Sequence, residues 1–177
     1  MTISDIKSII DSKYFPTNQT KLVEFDKAKG VIITETKIDS ALINELLVCR
    51  LDPNAERIFP YFRQKTGLGL NQICDYFLFA MQQNSLFILL VELKQGHCCA
   101  TPQLQASECF MQFLKHTAER VGFDTTNISV IKVKYHQHAK RGTKQAAPII
   151  ENGIVLYPWL QFRIDAIINV CKEHHLI

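Results

Sequence analysis

Hydrophobic and polar positions change period several times along the chain, and each change marks a new element. Near the start, Ile6, Ile9 and Ile10 fall on one side of a short helix that Thr2 or Ser4 can cap, with Pro16 beyond its end. Residues 22–37 (LVEFDKAKGVIITETK) alternate imperfectly around a Lys-Gly turn, which predicts a two-stranded hairpin. Asp39 or Ser40 then caps a predicted second helix, whose Leu42, Ile43, Leu46 and Leu47 form an apolar stripe with Glu45 on its flank. Residues 57–62 (RIFPYF) predict an edge strand, because Pro60 cannot donate to a ladder.

Two β-rich runs follow, 73–80 and 86–93, on either side of the polar turn MQQNS. The segment LFILLV in the second run is apolar at every position, which predicts a strand buried on both faces in the middle of a sheet. Phe110, Phe113, Leu114, Ala118 and Val121 recur at helical spacing; Pro102 delays that helix's start and Gly122 stops it. Residues 128–135 (ISVIKVKY) alternate as a further strand, and Ile164, Ile167, Ile168 and Cys171 make one face of a C-terminal helix. The order predicts one α/β domain over residues 1–177, a central mixed β-sheet flanked by helices.

Composition agrees with that picture. With 177 residues, 47% hydrophobic and 21% charged, the chain has the balance of a soluble globule with a sizeable core. No apolar run reaches the roughly 18 residues needed to cross a bilayer, and no basic and apolar leader opens the chain. A cytoplasmic protein without membrane contact is therefore expected. The six cysteines show no framework spacing and lie mostly in apolar stretches, so they are expected to be reduced packing residues. The net charge of +3 is small, but Lys132, Lys134, His136, His138, Lys140, Arg141 and Lys144 crowd into residues 132–144 with no acid among them.

The chemistry is concentrated at the ends of the two apolar runs. Asp75 opens the first run, and Glu92 and Lys94 close the second, two apart and hence on one face of a strand. If the runs pair antiparallel through MQQNS, all three charges converge where the sheet leaves the core. A buried carboxylate needs a partner, a metal or a proton to neutralise it. Two carboxylates with the Leu93 carbonyl offer hard oxygen ligands for Mg²⁺ or Mn²⁺, and a lysine beside them suits the orientation of an attacking water.

In these residues the chain resembles the PD-(D/E)xK nuclease superfamily, the restriction-endonuclease-like proteins: Asp75 in CDYFLF, Glu92 and Lys94 in VELKQG, then a helix opening with Gln103-Leu104. The resemblance covers about residues 40–140, with Cys74 where the family's name has proline. It implies a restriction-endonuclease-like core with the N-terminal helix and hairpin and the C-terminal helix as additions. It implies Asp75 and Glu92 as metal ligands, Lys94 as the catalytic lysine, and Gln103 as a residue supporting the site; Glu45 would match an acid that some members add from an earlier helix. The implied activity is Mg²⁺-dependent hydrolysis of DNA rather than RNA in restriction, repair or defence, by a homodimer or within a larger complex.

The basic stretch directly follows the strand expected beside the hairpin, so Lys132, Lys134, Lys140 and Arg141 are candidate phosphate contacts. Three alternatives stand beside this reading. The charges can form an exposed ion pair on a non-catalytic subunit that binds nucleic acid or a partner protein. A carboxylate pair with metal can also serve other phosphate chemistry. Trp159 can stack on a base or fill the core. Zinc is disfavoured, because His97, Cys98 and Cys99 lack the paired short spacing of a zinc site. No Gly-rich loop suggests a nucleotide phosphate cradle.

Overall fold

The wholly apolar segment 86–91 lies in β5 (Ser85–Lys94), which has strands on both sides and layers on both faces. A computed structural model describes residues 1–26, 31–51, 72–94, 100–136, 147–158 and 161–177. Six strands form the central sheet: β3 (Glu45–Cys49), β4 (Tyr76–Gln82), β5, β6 (Ile128–His136), β7 (Ile149–Glu151) and β8 (Ile154–Tyr157), in the order β3-β4-β5-β6-β8-β7. β3, β4 and β5 pair antiparallel, β5, β6 and β8 parallel, and β7 antiparallel to β8, so the sheet is mixed as predicted.

Alternation along each strand divides the core in two. Leu86, Ile88 and Leu90 face α1 (Ile3–Ile9) and α2 (Thr101–Arg120), packing with Phe77, Phe79, Ile3, Ile6, Leu104 and Met111. Phe87, Leu89, Val91 and Leu93 face the other layer, with Leu22, Phe162 and the Ile164, Ile167, Ile168 and Cys171 face of α3 (Ile164–Glu173). That layer includes a smaller sheet of β1 (Lys21–Asp26), β2 (Val31–Asp39) and β9 (Phe162–Arg163). The sheet is thus flanked by helices on both faces, and β1 and β2 form the predicted hairpin. Among the described residues, no helix is long and apolar enough to cross a membrane.

Several local expectations are corrected. The predicted helix around Leu42–Leu47 is instead a turn at 40–44 followed by β3, with Ala41 N–H bound to the Asp39 carboxylate at 3.1 Å. ELLVC is too short for a helix and apolar on both sides, and strand pairing against β4 decides such a segment. In α2 the buried stripe is Leu104, Ser107, Met111 and Ala118, while Phe113 and Val121 are exposed. Pro102 does not delay that helix: it sits in the first turn, where its missing N–H costs nothing. Gly122 ends it at φ +94°. The hairpin β7–β8 was not anticipated, although its Asn152-Gly153 turn, with φ of 51° and 71°, is the strongest short hairpin signal in the sequence.

Candidate functional site

The hairpin β4–β5 turns through Gln83 and Asn84, and its register brings Asp75 and Glu92 opposite one another, one step beyond the last ladder pair Tyr76↔Val91. There the carboxylates replace the backbone acceptors of the ladder. Leu93 N–H donates to Asp75 Oδ2 at 2.8 Å, and Asp75 N–H donates to Glu92 Oε2 at 3.2 Å. Lys94 Nζ binds Glu92 Oε1 at 2.6 Å. The three charges converge as the spacing predicted, on the face that carries Leu86, Ile88 and Leu90 and packs beneath α2.

The electrostatics follow from burial. Glu92 is only 4% exposed, so loss of hydration raises its pKa, and the nearby Asp75 charge raises it further. The Lys94 hydrogen bond and charge pull it down again but do not cancel the rise, leaving it at about 7. For Lys94, burial works against the ammonium, but the hydrogen bond and charge of Glu92, with the charges of Asp75 and Glu24, outweigh it and raise its pKa. The Cys74 thiol is fully buried and pushed well above its ordinary value, mainly by desolvation, so it is a packing group. Cys49 and Cys171 are likewise buried, while Cys109 is exposed.

α2 is fastened to the site by Ser107, a fully buried hydroxyl. Its Oγ accepts from Cys74 N–H at 2.8 Å and donates to the Gln103 carbonyl, also at 2.8 Å. Gln103 therefore sits one helical turn from the residue that precedes Asp75. Its Oε1 is buried and has no hydrogen-bond donor among the described residues.

The neighbouring strand continues the polar row. Glu92 is level with Lys134 of β6, and Lys94 with His136. Lys132 faces α2 and pairs with Glu108 at 2.8 Å; Lys134, two residues on, shares that face. Lys140, Arg141, Trp159, residues 57–62 and the His97-Cys98-Cys99 cluster lie outside the described residues.

Glu45 is corrected as a site residue. It is exposed on β3 opposite Met81, six residues along β4 from Asp75, hence about 20 Å away at the usual rise per strand residue. Sequence reasoning missed Glu24, Ser107 and Glu108 as neighbours of the site. Ser107 had a readable signal, four residues after Gln103 on the same helix face; Glu24 had none, because only packing brings β1 to this end of β5.

The donor set fits a hard divalent cation. Two carboxylates face each other, one with its acidity weakened by the other, and a cation between them would relieve that repulsion. Among the described residues no group of three or more His, Cys, Asp or Glu side chains gathers. Asp75 and Glu92 would then hold the ion with water completing its shell, the habit of Mg²⁺ rather than of a caged structural metal. No protein-family model, curated protein or solved structure matches the chain.

Proposed function

We propose that this chain is a Mg²⁺-dependent phosphodiester hydrolase of the PD-(D/E)xK type, acting on DNA. One observation carries the reading: Asp75 and Glu92 meet across the β4–β5 ladder with Lys94 on Glu92 and Lys134 level with it on β6. Mg²⁺ or Mn²⁺ bound by the two carboxylates supplies an acidified water and neutralises charge developing at phosphorus. The chain's own groups do the rest. Lys94 turns from Glu92 toward the attacking water or a phosphate oxygen, as a compact positive charge that costs little reorganisation. Gln103 offers its buried amide oxygen to a water at the site. Lys134 meets the sugar-phosphate backbone in a sequence-independent contact. Cutting both strands by two paired copies is part of the same proposal and is supported by the resemblance alone.

The test is cleavage of plasmid and single-stranded DNA with Mg²⁺ or with EDTA. Asp75→Asn keeps an acceptor for Leu93 N–H while removing the charge. Cutting that requires metal and disappears in Asp75→Asn and Glu92→Gln, both still folded, is the expected result. Undiminished cutting by either variant would remove the proposal.

A second reading has its own observation. Both carboxylates already cap backbone N–H groups at the strand ends, a structural use of the same charges. A non-catalytic subunit that binds nucleic acid or a partner protein would give salt-sensitive DNA binding with no metal-dependent turnover.

A further inference from the structure

The N-terminal hairpin reaches the same end of the sheet from the opposite face. Tyr76, the neighbour of Asp75, donates its hydroxyl to the Val23 carbonyl at 2.9 Å and accepts from Val23 N–H at 3.0 Å. One phenol thereby satisfies both its donor and its acceptor on a single residue of β1, which fixes β1 against β4. Leu22 is fully buried in the cluster that holds Val91 and Leu93, at the end of β5. Glu24 lies on Leu22's side of β1, and its Oε2 is buried. The pairing with β2 slips between Glu24 and Phe25, the kind of irregularity that re-aims a side chain beside a site. The Glu24 carboxylate is near enough for its charge to act on Lys94.

We propose that Glu24 is a positioning residue for Lys94, holding the ammonium beside the Asp75–Glu92 pair from the side of the N-terminal hairpin. The consequence for turnover rests on the nuclease reading above. In the structure Lys94 is tied to Glu92 Oε1 at 2.6 Å. A Glu92 whose oxygens serve a divalent cation attracts the lysine less, because cation and ammonium draw on the same negative charge. Glu24 then supplies the carboxylate that keeps Lys94 charged and within reach of the attacking water. The hairpin β1–β2 becomes part of the catalytic apparatus rather than a peripheral addition.

Two measurements on the intact chain test this. Treatment with a water-soluble carbodiimide joins a carboxylate to an amine it touches, the reagent taking up the lost water as its urea. Peptide mass spectrometry is expected to find a Glu24–Lys94 amide beside the Glu92–Lys94 amide; finding only the latter overturns the proposal. In plasmid cleavage, Glu24→Gln is expected to lower kcat by about 10–100-fold, the usual cost of removing a supporting partner, with KM for DNA and the Mg²⁺ midpoint unchanged. Glu24→Asp should restore most of that loss, which a purely structural defect would not allow. Wild-type kcat in Glu24→Gln, or a loss carried by the Mg²⁺ midpoint instead, overturns the positioning role. If the wild-type chain does not cut DNA, the nuclease reading fails, and the cross-link still decides whether Glu24 holds Lys94.

Discussion

Glu92 shows what burial does to a single carboxylate. It keeps one hydrogen bond from Asp75 N–H and one ion pair to Lys94, yet desolvation and the Asp75 charge still lift its pKa from the ordinary value of 4.5 to about 7. The sign for stability follows. Between these values the unfolded chain gives up its proton while the folded chain keeps it, so this group makes the metal-free protein less stable as pH rises through that window. Glu92→Gln removes the titration, so its melting temperature relative to wild type should rise from pH 5 to pH 8. For a chain of this size each kcal/mol is worth about 2–4 °C. A difference that does not change with pH would contradict the assigned cause. At this scale much was legible: Asp75, Glu92 and Lys94 stood out because charge is expensive beside apolar runs. Glu45 misled, because its helical flank was a strand end, and Glu24 was invisible until β1 was placed.

At the scale of elements, the site depends on how α2 is attached. Ser107 bonds Cys74 N–H and the Gln103 carbonyl at once, coupling the helix to the residue before Asp75. Ser107→Ala leaves a buried N–H without its acceptor, which costs about 1–3 kcal/mol. Urea unfolding should show that loss, and metal-dependent cleavage should fall with it, because Asp75 is no longer held against Glu92. Unchanged stability would mean that the backbone relaxes to another acceptor. Elements with one strong period were legible, such as the doubly buried β5 and the isoleucine face of α3. β3 was not, since five apolar residues fit either period and only pairing with β4 decides. The offset of the α2 stripe has a similar origin: the sheet beneath selects Leu104, Ser107 and Met111, leaving Phe113 in solvent.

The whole molecule places helices on one face of the sheet, α3 and a small sheet on the other, and the polar row at the strand ends where both layers open. Lys134 and Lys132 share a face but differ in partners, because Lys132 is held by Glu108 of α2. DNA binding measured without metal should therefore respond more to Lys134→Ala than to Lys132→Ala. Each lost phosphate contact flattens the dependence of log K on log salt by about 0.9. Equal slopes for both variants and wild type would take this face out of the DNA interface. The mixed architecture could be read from the order of elements, but its layering could not, because that depends on contacts between residues more than a hundred positions apart.

The most direct measurement is Mg²⁺-dependent plasmid cleavage by wild type beside Lys94→Ala, with metal binding to both followed by calorimetry. The account predicts that wild type cuts only with metal, and that Lys94→Ala still binds the ion but cuts at least about 100-fold more slowly, the scale of losing one transition-state charge. Cleavage by Lys94→Ala at the wild-type rate, or a wild type that binds neither metal nor DNA, would contradict it.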